Sequence, residues 1–422
     1  MPLSSRERLG KTLNHEKPDR VCVDFGATAV TGIHVSALTK LRGALLGEKD
    51  FRVKVIEPYQ MLGEIDETLQ ETLGIDVVNI SLPKTLFGFK NENWKPLTLF
   101  DGTEVLVPGD FNITVDEKGG WYLYPEGDTS AQPSGYMPKG GNFFDALCRQ
   151  EPIDEEKLNP LDNLEEFGPL AEGDLHLLAD QAREAMKKNK GTILIVPGAA
   201  FGDIALVPAM WRKRTRGIRD VQEWYISTVA RRDYVYSVFE KQCGIALKNI
   251  DRLIKKIGND VQAAFLTGTD FGTQRGLFIS PKAYRDLYKP FHKAINDFIH
   301  KHSGWKTFIH SCGGVYDLIP EFIDAGFDIL NPVQCSAYMM DPKRLKQEFG
   351  RDLVFWGGGV DTQKTLPFGT PEEVYREVRE RILIFNEGGG FVFNAIHNIQ
   401  SQVPVENILA IFRAITDSAK GE

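Results

Sequence analysis

Short runs rich in β-branched and aromatic residues recur along the 422-residue chain, separated by amphipathic stretches, and this alternation constrains the fold more than any other feature. The runs fall at residues 21–25, 76–80, 192–197, 263–267, 306–310, 327–331, 353–356 and 391–394. Helical periodicity occupies 58–73, 221–257, 281–302, 315–325, 342–349, 371–386 and 405–416. Strands alternating with helices make parallel strand–helix–strand units, and right-handed crossovers between neighbours close such units into a (β/α)8 TIM barrel. One stretch breaks the rhythm. From about 82 to 144, turn-forming residues separate short alternating runs, as in FDGTEVLVPGDFNITVDEKGGWYLYPEG, which predicts an antiparallel β insertion in the N-terminal half. The QPSGYMPKGGN stretch reads as a surface loop within it. The insertion serves as a lid or docking flap, or merely covers an edge. The expected organisation is one barrel domain, 1–422, carrying this excursion.

Charge and cysteine usage narrow the function classes. A formal net charge of −8 repels phosphate backbones and anionic lipid, which argues against nucleic-acid and membrane-surface partners. No apolar run approaches the roughly 20 residues that span a bilayer, and the first residues are too charged for a secretion signal, so a cytoplasmic location is expected. The five cysteines are odd in number and dispersed, as reduced thiols are. The densest basic cluster, WRKRTRGIR at 211–219, reads as a solvated face or as a clamp for substrate carboxylates.

In a barrel of this kind, polar residues at the C-terminal strand ends line the active face. The fifth strand ends in His310-Ser-Cys312-Gly, the sixth runs on to Gln334 and Cys335, the seventh to Asp361, and the eighth to His397-Asn398-Ile-Gln400. Residues i and i+2 of an extended segment project to one side, so His310 and Cys312 can offer a nitrogen and a sulfur to one ion. His397 approaches from another part of the rim. Three ligands with one position open is the pattern of catalytic zinc; a packed histidine beside a buried thiol is the plain alternative. Cys335 is a rival third ligand or a small core residue. Asp270, in the glycine-rich loop after the fourth strand, reads as a general acid/base, as an orienter of a ligand histidine, or as an aspartate satisfying loop amides. Asp24, His34, Tyr59, Gln274, Gln334, Asp361, Asn398 and Gln400 are the candidate substrate-binding residues.

With those residues in place, the chain resembles the uroporphyrinogen decarboxylase superfamily over nearly its whole length, from SSRERLGKTLNHEKPDRVCVDFG to VPVENILAIFRAI. His310-Ser-Cys312-Gly313 matches the zinc motif of the superfamily's cobalamin-linked methyltransferase arm, and Pro404-Val-Glu406-Asn407 matches the helix start that follows its last ligand. His397 stands where that arm has a cysteine, a departure that keeps a ligand but makes the site less thiolate-rich. The decarboxylase arm grips carboxylates through an arginine-rich loop after the first strand; the loop from Phe25 to Ile33 here has no arginine. The resemblance therefore implies a zinc-dependent methyltransferase moving a methyl group between a corrinoid protein, which supplies the methylcobamide, and a small thiol or related acceptor. Two other readings are a decarboxylase or lyase acting on a polycarboxylate, anchored by the 211–219 cluster, and a non-catalytic corrinoid- or tetrapyrrole-binding barrel. No Asp-x-His-x-x-Gly cobalamin signature occurs in the chain, so a corrinoid would arrive on another protein.

Overall fold

The computed structural model describes residues 2–48, 50–164 and 167–420. Eight parallel strands form one sheet: β1 (Cys22–Val23), β2 (Val77–Ile80), β3 (Gly191–Ile195), β4 (Ala263–Thr267), β5 (Lys306–His310), β6 (Ile329–Asn331), β7 (Val354–Trp356) and β8 (Phe391–Phe393). The hydrogen-bonded order runs from β2 through β3 to β8 and then to β1. The remaining seam, between β1 and β2, is stitched by Asp76: its N–H donates to the Val23 carbonyl at 2.8 Å, and its carboxylate accepts the Val23 N–H at 3.0 Å. Arg8 and Arg20 hold the same buried carboxylate at 2.6 and 2.8 Å. All eight strands lie where the β-branched runs placed them, because strands covered on both faces must be apolar throughout.

Side-chain alternation fills the barrel in layers. Cys22, Val77, Ile193, Ala263, Phe308, Ile329, Val354 and Val392 form one buried cluster, joined by Leu9 and Leu13 of the first helix, Ser5–Leu13. That helix plugs the N-terminal end of the barrel. Two residues farther along each strand come Asp24, Asn79, Ile195, Phe265, His310, Asn331, Trp356 and Asn394, so the next layer, at the mouth, is mostly polar or aromatic.

Several segments differ from expectation. Residues 58–73 are helical only over Glu67–Leu73; before that the chain makes an antiparallel hairpin, Val55–Glu57 with Leu62–Gly63, whose turn places Met61 at φ 55°. The stretch 221–257 is two helices, Val221–Ala230 and Arg232–Ile257, broken at Arg231, whose guanidinium is drawn to Glu155 and Glu223. Helices at Ser5–Leu13, Val35–Leu46 and Glu172–Lys187 add to those expected. The insertion is antiparallel: a hairpin, Lys95–Thr98 with Glu104–Val107, precedes a four-stranded sheet of Ile113–Val115, Trp121–Leu123, Gly135–Met137 and Asp145–Ala146. The expected surface loop thus contains a sheet strand, Gly135–Met137. No helix among the described residues is long and apolar enough to cross a membrane.

Candidate metal centre

His310 ends β5 on the interior face, opposite Asn331 in the β5–β6 register. Its Nδ1 lies 2.5 Å from Asn331 Oδ1, while Asn331 Nδ2 donates to the Trp356 carbonyl at 2.8 Å. The second bond fixes the amide orientation, so Oδ1 must accept and Nδ1 must carry the proton. Nε2 is left with a bare lone pair. Cys312 Sγ lies 3.3 Å from that Nε2. The His397 ring stands edge-on to His310, with centroids 5.8 Å apart. One ligand atom from each of His310, Cys312 and His397 lies within 4.8 Å of the others.

This donor set fits a divalent ion. Ligands at zinc bond lengths in a tetrahedron stand about 3.3–3.8 Å apart, so the sulfur–nitrogen pair is already at bonding separation and the widest pair needs a small side-chain adjustment. Burial drives His310 down to about 4, and burial together with repulsion from His310 drives His397 down to about 4. Both imidazoles are therefore neutral at pH 7, as ligands must be. Burial first, and then the neighbouring Asp270 carboxylate, push the Cys312 thiol upward, an effect that a bound cation reverses.

The loops around the triad are held tightly. Asp270 Oδ1 accepts the Cys312 N–H at 2.7 Å and lies 3.9 Å from His310 Nε2; its backbone carbonyl accepts Tyr225 OH at 2.6 Å. Burial raises the Asp270 carboxyl. Gln334 Oε1 accepts the Gly313 N–H at 2.6 Å. Gly313 adopts φ 91°, and a Cβ there would run into the Gly272 backbone, so only glycine lets the β4 and β5 loops touch. Asn398 clamps the β8 loop to the β1 loop, accepting the Gly32 N–H at 2.6 Å and donating to the Ala29 carbonyl and to Gln60 Oε1 at 2.8 and 2.7 Å.

Other expected site residues lie farther out or act in the scaffold. Asp24 is fully buried and accepts from Trp356 Nε1 at 2.8 Å and the Ala27 N–H at 3.1 Å; burial raises its carboxyl to about 6. His34 is buried beside the insertion, capping helix Val35–Leu46 through the Ser36 N–H and bonding the Asn142 carbonyl at 2.7 Å, while its backbone N–H donates to the Ile399 carbonyl at 2.8 Å. Asp361 accepts the Gln363 and Lys364 N–H groups; Gln274 donates to Gln363 at 3.2 Å on the exposed rim. Gln400 reaches the Asn398 carbonyl at 3.5 Å, and Tyr59 packs half-buried against the core. Cys335 is not part of the triad: its Sγ lies 3.4 Å from the Val333 carbonyl, and burial pushes the thiol up to about 12. In the basic cluster, Lys213 pairs with Glu126 and Asp128, and buried Arg219 donates to the Arg216 and Asp162 carbonyls.

Sequence reasoning missed Asn331 as the orienting partner and Asp203, a half-buried residue whose carboxyl desolvation pushes up to about 6 and which accepts the Gly268 N–H at 3.0 Å to anchor the Asp270 loop. It also missed a cleft of about 500 Å³ at the mouth, lined by the β1 loop, the 55–63 hairpin, the segment after β2 and the ends of β3 and β4. Ala29 and Gly32 of this lining are hydrogen-bonded by Asn398, the residue that follows His397 in the chain.

Barrel topology and a cluster of two imidazoles and a thiol at its mouth define the class: a (β/α)8 barrel with a candidate metal site on its active face. The chain belongs to the uroporphyrinogen decarboxylase (URO-D) family, whose profile matches residues 148–418. Over 141 residues, 33% of this chain and 34% of the relative, it is 29% identical to a methylated-thiol:coenzyme M methyltransferase of Methanosarcina mazei. Over 177 residues, 41% of this chain and 47% of the relative, it is 25% identical to a uroporphyrinogen decarboxylase of Mannheimia succiniciproducens. The chain thus matches less than half the length of either relative. A solved methyltransferase from Methanosarcina mazei superposes over 99% of both chains with a TM-score of 0.53 at 16% identity, a likeness of fold.

Proposed function

We propose that the chain, one barrel domain over 1–422, is a zinc-dependent methyltransferase that moves a methyl group between a corrinoid protein and a small thiol or related acceptor. The observation that carries this reading is the convergence of His310, Cys312 and His397 ligand atoms within 4.8 Å at the barrel mouth. The methyltransferase among the relatives supports the same choice within the family. Zinc bound by these three side chains would keep an acceptor thiol deprotonated near neutral pH. Asn331 holds His310 in the tautomer that presents Nε2. Asp270 fixes Cys312 by accepting its backbone N–H. Two imidazoles and one thiolate leave the centre less negative than a thiolate-rich one, which strengthens its hold on an anionic acceptor sulfur. The methylcobamide arrives on its own protein.

Carboxylate binding by the 211–219 cluster gains no support, because none of its arginines lines the cleft and Lys213 is already paired. Metal analysis of purified wild-type protein and of His310→Ala, together with methyl transfer from methylcobalamin to a thiol, tests the proposal. One equivalent of zinc in the wild type, lost with activity in the variant, is expected. Chelator-resistant decarboxylation of a polycarboxylate by zinc-free protein would replace it.

A further inference from the structure

The cleft at the barrel mouth has walls whose chemistry restricts what can lie in it. Its volume, about 500 Å³, is that of a pocket for a whole small molecule. Ile195 and Phe265 reach it from the interior of β3 and β4, in the same layer as His310. Val30, Ile56, Leu62, Leu82 and Leu86 add apolar side chains to the wall, beside small and uncharged polar residues such as Thr28, Ser81 and Asn91. Val30, Ile56 and Ile195 are half-buried yet belong to neither cluster of the core, so their apolar surface turns to the cleft and gains only when something apolar covers it.

Charge is sparse in this wall. Glu57 and Lys84 are the ionisable side chains that line it among the described residues. Both Glu57 carboxylate oxygens are engaged, accepting the Tyr59 and Gln60 N–H groups at 3.0 and 2.7 Å. Lys84 stands exposed at the rim, where water screens it. A compact, strongly anionic molecule finds no guanidinium and no buried cation there.

We propose that the cleft holds the body of the methyl-exchanging small molecule, and that this body is an aromatic or branched-alkyl group bearing at most one negative charge, its sulfur directed toward His310, Cys312 and His397. This rests on the transferase reading. The 55–63 hairpin and the segment after β2, where the excursion begins, form the outer wall, so they select the substrate.

The test separates body binding from chemistry. Chelator-treated protein is titrated with 2-phenylethanol, a sulfur-free probe, and with ethanesulfonate, by calorimetry or ligand-observed NMR. The metal-loaded enzyme is then assayed with methylcobalamin and either phenylmethanethiol or 2-mercaptoethanesulfonate. The aromatic probe should bind and ethanesulfonate should not. An aspartate in an apolar wall disfavours an aromatic neighbour, so Val30→Asp in the β1 loop and Ile56→Asp in the hairpin should each weaken probe binding at least about tenfold while keeping the wild-type circular dichroism. Phenylmethanethiol should exceed the sulfonate at least about tenfold in kcat/KM. Probe binding that is absent, or unchanged in whichever variant folds, overturns the inference; methyl transfer to the sulfonate alone then leaves the transferase reading standing. Probe binding lost in the variants, with no methyl transfer to any thiol, overturns the transferase reading and leaves the apolar cleft.

Discussion

Replacing Asn331 with leucine tests whether the triad depends on a fixed imidazole. The side chains are close in size, so Asn331→Leu removes two hydrogen bonds without opening a large void. His310 Nδ1–H loses its acceptor at 2.5 Å and the Trp356 carbonyl loses its donor at 2.8 Å. A buried donor left unsatisfied costs about 1–3 kcal/mol, so some loss of stability is expected. The imidazole can then rotate or exchange tautomers, and loss of such an orienting partner typically weakens a metal site about 10–100-fold, equivalent to about 1.4–2.7 kcal/mol. Competition for zinc with a chromophoric chelator reads the affinity, and urea unfolding of the zinc-free protein reads stability separately. Asn331→Asp restores an acceptor and should recover most of the affinity. Zinc affinity within about threefold of wild type in Asn331→Leu would refute the orienting role.

Other expectations follow from the scaffold. Asp76→Leu removes the carboxylate that Arg8, Arg20 and the Val23 N–H share, while Arg8 keeps its pair with Asp19; a loss of about 1–3 kcal/mol in urea unfolding is expected from the polar groups left unsatisfied, and no measurable loss would show that the seam needs no such stitch. Burial raises Asp24 to about 6, so the folded state holds that proton more tightly than the unfolded chain. Its stabilising contribution is complete below about pH 4 and fades as pH rises through 6, by at most about 3 kcal/mol. Asp24→Asn should therefore gain on wild type between pH 4 and 7 in parallel urea titrations; a pH-independent difference contradicts a buried, titrating carboxyl. Gly313→Ala should weaken zinc binding by displacing Cys312, since its Cβ would run into the Gly272 backbone; an unaltered affinity would show that the two loops can part freely.

Most barrel strands were legible because they are buried on both faces, as in Val354–Trp356 and Phe391–Phe393, where every residue is buried and the β-branched and aromatic side chains leave few other conformations. His310, Cys312 and His397 were legible for a related reason: strand ends converge on one mouth whatever the loops do. Local pattern misled where a turn depends on distant partners. Pro58 to Leu73 has helical spacing, yet Leu62 bridges to His34 and the Val55 and Gly63 backbones pair, contacts no window of sequence contains. His34 read as a pocket residue from its place after the first strand, but nothing in the sequence marks its ring partner, the Asn142 carbonyl in the insertion. Asn331 was legible as the polar end of the sixth strand, but its role was not, because that comes from His310 across the sheet. The cleft was hidden for the same reason, as its wall joins residues from Gly26 to Phe265.

X-ray absorption at the zinc edge of wild-type and His397→Ala protein examines the metal centre most directly. The expected wild-type spectrum has one sulfur at about 2.3 Å and two imidazole nitrogens at about 2.0–2.1 Å, with a lighter atom in the fourth position. His397→Ala should lose one imidazole shell. A spectrum without sulfur, or one that His397→Ala leaves unchanged, would contradict a centre built on His310, Cys312 and His397.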